Sequence, residues 1–416
     1  MVLNVLWIAF FLVACVAGTI QLIGGNGDIY KTMIDGVFEA ARTSVDISIG
    51  LIGIMSLFMG IMMIGERAGA VNLLSRIMAP LFSKLFPELP KNHPAMGHMM
   101  MSFSANMLGL DNAATPFSLK AMKSLQEVNP KKEVASNSQI MFMVLNASGL
   151  TIIPVSIIAQ RATLHSKYPT EVFLPILMTT FVATMVAMAV TAFWQRFNRR
   201  QWITIIIVGV VGAVFMAGFG YLLMYKLNAE SARVFSNVVS NGIILLIFVV
   251  FILGGWYKKV QVFNAFIDGA KQGLMVAIRI IPYLVAMLVA ISLLRTSGVF
   301  EYIMDGMRWT AAAMGFNTDF IPAMPTALMK PFSGSGARGM MIDVMSNPAY
   351  GPDSFAGRLS CVFQGTTETT FYIAAIYFGS VGIKNTRYAI GASLIADLAG
   401  VIAAIVIAYN WPWLPV

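Results

Sequence analysis

Residues Leu108 to Met122 read LGLDNAATPFSLKAM. An Asp, an Asn and a Pro cut into an otherwise apolar segment that begins near residue 95. The run before the interruption is too short for the roughly 20 residues a bilayer-spanning helix needs. It predicts a helix, a break and a second helix over 95–130. A second stretch over 319–347 repeats the pattern, where FIPAMPTALMKPF (320–332) leads into SGSGARG (333–339). A break inside a bilayer exposes backbone groups that only protein or a water-filled cavity can satisfy. Both stretches are therefore expected to be re-entrant helical hairpins.

The rest of the chain supports a membrane setting. Its 416 residues are 58% hydrophobic and 11% charged, with a mean hydropathy of +0.76. A soluble domain carries about 25% charged residues. The net charge of +9 comes from basic residues scattered between apolar runs, which excludes the continuous basic stripe of a nucleic-acid binder. These residues act as topology markers instead. Cys15 and Cys361 lie in apolar surroundings and predict neither a disulfide framework nor a Cys-type metal site. Residues 3–23 have no Lys or Arg before them and form a long apolar run, so they are read as a retained first helix, not a signal peptide.

About nine spanning helices are expected, over 3–23, 45–65, 136–160, 172–194, 203–226, 235–256, 273–294, 354–378 and 386–409. Segments 30–44, 70–86 and 296–312 carry charges on a helical period and are expected to lie at the interface. RFNRR (196–200) and YKK (257–259) should both be cytoplasmic, with two helices between them. The N-terminus is then inside and the C-terminus outside. Counting crossings, the second half starts on the opposite side of the membrane from the first. TPFSLKAM (115–122) aligns with KPFSGSGA (330–337), Pro116 with Pro331, and Asn146 falls near Gln364. ERAGAV (66–71) similarly precedes the first hairpin as RTSGVF (295–300) precedes the second. The expected fold is an all-α polytopic membrane protein made of an inverted repeat, the usual architecture of secondary transporters, with the site at the repeat interface.

The breaks carry the candidate chemistry. Helix N-termini favour anions, whereas unwound carbonyls and helix C-termini favour cations. Asp111, Asn112 and Thr115 stand at the first break, with Asn106 one turn earlier and Ser104 and Ser102 behind it. They are the candidate ion ligands and their neighbours; the plainer alternative is a cytoplasmic loop with Asp111 as a helix cap. Ser333, Gly334, Ser335 and Gly336 form the second break, where small residues let the backbone approach a ligand; the alternative is a flexible loop. Gln139 and Asn146 share a helical face, as do Gln364, Thr367 and Glu368 of QGTTETT (364–370). A Glu within a spanning helix is a functional hypothesis by default, against the alternative of an internally paired polar cluster. Arg279 either pairs with Glu368 or Asp397 or snorkels to the interface. The abundant Met residues read as packing filler.

Enzyme signatures are incomplete. GNGD (25–28) matches the short motif of intramembrane aspartyl proteases, but no Tyr-Asp pair accompanies it. The three histidines, His93, His98 and His165, form no HExxH. SGSGARG is not a nucleophile elbow, and no phosphate-binding loop is present.

NMLGLDNAATPFSLKAM (106–122) resembles spore maturation protein A, and the region from ALMKPFSGSGARGMMIDVM (327–345) through YGPDSFAGRLSCVFQGTTETTFYIAAIYFGSVGIKNTRYAIGASLIADLAG (350–400) resembles spore maturation protein B, fused in one chain. These families belong to the nucleoside recognition, or Gate, group, which includes repeats related to the core of concentrative nucleoside transporters and to the membrane part of ferrous iron transporters. The resemblance implies two Gate-type units, 1–200 and 231–416, joined by a linking transmembrane helix over 201–230. It does not fix a substrate: the Glu of TTETT is similar to a polar signature of nucleoside carriers, yet its neighbours differ.

The function expected from these readings is secondary active transport of a small polar solute in the bacterial inner membrane, coupled to Na⁺ or H⁺, with no other cofactor and no enzymatic activity. Asn106, Asn146, Ser333, Ser335, Gln364, Thr367 and Glu368 would line the solute site; Asp111, Asn112 and Thr115 would hold the ion. The expected partners are the solute, the bilayer and further copies of the chain. The alternative is a non-transporting scaffold that uses the same fold, distinguished by whether the polar residues at the breaks converge on a cavity or only pair with one another.

Overall fold

A computed structural model describes residues 2–90, 93–222 and 229–413; within these, side chains at 2, 3, 111–113, 229 and 233 are outside the description. The chain is helical throughout: α1 Val2–Ile23, α2 Ile29–Ala68, α3 Ala70–Leu85, α4 Pro94–Met107, α5 Asp111–Glu127, α6 Asn137–Ala147, α7 Val155–Thr163, α8 Phe173–Trp194, α9 Arg199–Tyr221, α10 Ala229–Tyr257, α11 Val262–Thr296, α12 Val299–Ala313, α13 Met324–Met329, α14 Gly334–Ser346, α15 Phe355–Thr366, α16 Thr370–Gly379 and α17 Ala389–Asn410. A 3-10 turn, Ile321–Ala323, leads into α13. Among the described residues, eight helices precede α9 and eight follow it, in the same order of long and short pieces.

Seven of these helices are long and apolar enough to cross a bilayer. The chain is a multi-pass membrane protein. Two of the nine expected spans differ, and for one reason: 136–160 and 354–378 are not continuous. The first divides into α6 and α7 around Ser148–Pro154, the second into α15 and α16 around Thr367–Thr369. Gly149 takes a left-handed φ of +64° and Pro154 removes a donor, which stops helix propagation in the first case. Thr367 is fully extended in the second. The expected interfacial helix over 30–44 is also corrected: α2 runs unbroken through it for 40 residues. Segments 70–86 and 296–312 do form separate helices, α3 and α12.

Both expected helix–break–helix units are present. α4 and α5 meet at Leu108–Leu110, where Gly109 adopts φ +71°. α13 and α14 meet at Lys330–Ser333, where Ser333 caps α14 by accepting from the Gly336 N–H at 2.9 Å.

α2 and α11, equivalent in the two eight-helix runs, pack along their lengths. Ala265, Gly269, Gly273 and Ala277 recur every four residues on α11 and are buried. A Cβ on Gly273 would stand 2.5 Å from the Met55 carbonyl, and one on Gly269 2.9 Å from Gly60 Cα. Small residues at this spacing bring helix backbones together where no hydrophobic drive separates helix from lipid. By contrast α9 buries only 6% of its apolar window, a surface suited to lipid.

The two broken segments run in opposite directions. α6 starts where Arg387, just before α17, donates to Asn137 Oδ1 at 2.9 Å; α7 ends where Arg161 reaches the carbonyl of Pro352, just before α15. The first segment thus begins beside the end of the second and ends beside its beginning. The loops brought together are 128–136 with 380–388, and 164–172 with 347–354.

Candidate functional site

The broken segments cross at their breaks. The Glu368 N–H donates to the Ala147 carbonyl at 2.9 Å. A Cβ on Gly149 would lie 2.9 Å from the Glu368 nitrogen, so the crossing requires glycine there for space as well as for φ. Each break leaves helix-end N–H and C=O groups that local structure cannot pair. Opening both at one point gathers them in one place.

Beside the crossing lies a cavity of about 280 Å³. Its walls come from the tip of the first helix–break–helix unit (Gly109), the α6–α7 break (Thr151, Pro154), α2 (Met55, Met59), α11 (Arg279), the second unit (Lys330, Gly334, Arg338) and the α15–α16 break (Gln364, Thr367, Glu368). Lys330 Nζ donates to the Gln364 carbonyl at 2.7 Å, and Gln364 Nε2 donates to the Gly334 carbonyl at 3.3 Å. Gln364 is only 6% exposed, and its side-chain oxygen has no partner among the described residues. A second cavity of about 480 Å³ shares Met59, Val276 and Arg279 with the first and reaches Glu66 and Lys271, near the C-terminus of α2 and the N-terminus of α11.

The sequence candidates divide between this cavity and other places. Gln364, Thr367 and Glu368 line it. Ser333 and Ser335 lie on the adjoining turn, 3.2 Å apart, with Ser333 engaged as the cap of α14. Asn106 and Asn146 do not face it: Asn106 Nδ2 donates to Asn146 Oδ1 at 3.0 Å, within a buried network through Ser102, Ser118 and Tyr377. That network ties α4, α5, α6 and α16 together. Gln139 forms the capping box of α6 with Ser136. Thr115 is exposed in the first turn of α5; the Asp111 and Asn112 side chains are outside the described residues. Arg279 stands in the middle of α11, because that helix begins eleven residues before the expected span, and it lines the cavity. Among the described residues it pairs with neither Glu368 nor Asp397.

Two cavity residues were not singled out in advance, and a third, Asp397, was named only as a pairing partner for Arg279. Lys330 and Arg338 flank SGSG, and their positions one helical break apart in a motif already marked were the available signal. Asp397, within α17, accepts from Thr370 Oγ1 at 2.8 Å through Oδ2, while its Oδ1 has no partner among the described residues.

Comparisons with known proteins agree with this architecture. Over 171 residues the chain is 44% identical to spore maturation protein B of Bacillus subtilis (strain 168), a match covering 41% of this chain and 93% of that protein. Over 198 residues it is 33% identical to spore maturation protein A of the same organism, covering 48% of this chain and 98% of that protein. No solved structure matches. The family described as nucleoside recognition, Gate, matches residues 48–164 and 277–384. The first stretch contains the α4–α5 unit and the α6–α7 break, the second the α13–α14 unit and the α15–α16 break. With the matched stretches making up more than half of its length and carrying every broken element around the cavity, the chain belongs to the Gate family.

Proposed function

We propose that this protein is a secondary active transporter of a small polar solute, built as an inverted repeat with two re-entrant hairpins. The observation that carries the proposal is the cavity at the crossing: four chain breaks meet around it, and charged and amide side chains line it. Broken helices facing a cavity near mid-membrane are the arrangement by which transporters hold solute and ion without many fixed charges. The antiparallel course of the broken segments supports the inverted relation. The N-terminus lies in the cytoplasm of a bacterial inner membrane and the C-terminus outside, as the basic loops indicate. In that orientation the second cavity opens the site inward, between α2 and α11. Alternating access moves the hairpins and broken segments against the α2–α11 pair.

Coupling uses Na⁺ or H⁺. Asp111, Asn112 and Thr115 at the first break supply one candidate ion site, and Asp397 beside the second break supplies an intramembrane carboxylate for another. A scaffold reading draws on the Asn106–Asn146 network, whose members pair with one another; that network serves the transporter equally well as the fastening of the first hairpin.

The test is flux in proteoliposomes with a Na⁺ or a proton gradient imposed separately, using radiolabelled metabolite extract as the solute pool. Wild type should accumulate a subset of solutes under one gradient. Glu368→Gln should abolish or strongly reduce it while the protein stays folded. Equal flux with and without both gradients, or no flux at all by well-folded protein, would reject the proposal.

A further inference from the structure

Resting on that transport reading, we infer that the solute is a small zwitterion, an amino acid or a similar amino-carboxylate. Arg279 and Glu368 line one cavity, yet neither forms an ion pair or side-chain hydrogen bond among the described residues. Opposite charges sharing a membrane-embedded cavity gain from pairing, and ionisable residues at such depth mark solute or ion paths. Two that remain apart leave room for a ligand that satisfies both ends.

The two ends are distinguishable. Arg279, on α11, supplies the anion-binding end, since Lys330 and Gly334 are already bonded to Gln364. A guanidinium group suits a carboxylate. On the other side, Glu368 stands four residues from Gln364, whose buried side-chain oxygen lacks a donor. A carboxylate and an amide oxygen suit an ammonium group. Glu368 is the only carboxylate among the described residues lining the cavity. A neutral polar solute such as a nucleoside would leave Arg279 and Glu368 without a counter-charge.

The experiment is calorimetric titration of the purified full-length chain in lipid nanodiscs. The zwitterions are glycine, L-alanine and L-serine; acetate and L-lactate carry only the anionic half, ethylamine and ethanolamine only the cationic half, and uridine is the neutral probe. At least one zwitterion should bind about tenfold or more tightly than the matching half-ligands. Arg279→Gln should weaken it about ten- to a hundredfold, and Arg279→Lys should recover part of the loss. Glu368→Gln should bring L-serine and L-lactate to similar affinities. Uridine binding in preference to every zwitterion, lactate matching serine in wild type, or no probe binding to monodisperse wild type would overturn the inference. The outcomes separate from those of the flux test: a neutral solute carried under a gradient rejects the zwitterion and keeps the transporter, whereas zwitterion binding without flux does the reverse.

Discussion

Two loop contacts join the halves of the molecule, one at each end of the crossed helices, and they are built on different physics. At the first, the α7–α8 loop meets the α14–α15 loop around buried charge. Arg161, with no exposed surface, bonds Asp353 at 2.9 Å and Glu171 at 3.1 Å, and Arg358 reaches the same Glu171 at 2.5 Å. Burial pushes the Glu171 carboxyl above its ordinary range, and Arg358 and then Arg161 pull it back. At the second, the α16–α17 loop meets the α5–α6 loop through backbone. The Ala135 N–H donates to the Asn385 carbonyl at 2.9 Å, and Lys384 and Asn385 both donate to the Glu133 carbonyl at 3.0 Å. The ion pair there, Lys384 to Glu133 at 2.7 Å, is exposed, with 76% and 67% of the side-chain surfaces free. A buried charge cluster cannot be opened without stranding its members. Backbone bonds at a wet surface exchange readily for water. In the orientation proposed above, the locked end faces outward and the exchangeable end faces the cytoplasm, toward which the second cavity also extends.

The comparison can be broken at three points. Arg161→Met should have the largest effect, about 3–5 kcal/mol of stability, since it leaves Glu171 and Asp353 buried with one fewer cation. Thermal melting in detergent measures it; a melting curve close to wild type would remove the claim that the outer junction is a lock. Gly149→Ala comes next. It forces a Cβ into the left-handed region and against the Glu368 backbone, an expected loss of about 2–4 kcal/mol together with transport. If that variant melts and transports normally, the crossing is looser than the close approach implies. Lys384→Ala should shift stability least, by about 0–1 kcal/mol, with the small difference disappearing at high salt. A loss as large as that from Arg161→Met would show that the inner junction depends on its charges after all.

Sequence alone determined that the chain is a membrane protein, where its two helix–break–helix units break, and that its elements repeat in order. Hydropathy, Pro and Gly placement and basic loops are local signals, and a bilayer makes them strong. The sequence could not reveal that spans 136–160 and 354–378 are broken. ASGLTIIP (147–154) held a Gly and a Pro that hinted at the first interruption. The Gly of QGTTETT, Gly365, stays inside α15: what holds Glu368 out of a helix is a hydrogen bond to Ala147, far away in the chain. The same reason separates the polar residues. Asn146 and Gln364 look alike as amides in equivalent helices, yet one is committed to Asn106 and the other faces the cavity. Arg161 and Arg279 look alike as isolated charges in apolar surroundings, yet one is locked against Asp353 and Glu171 and the other lines the site. Whether a polar side chain is structural or available depends on what the other half of the molecule brings to it, and only the folded chain decides that.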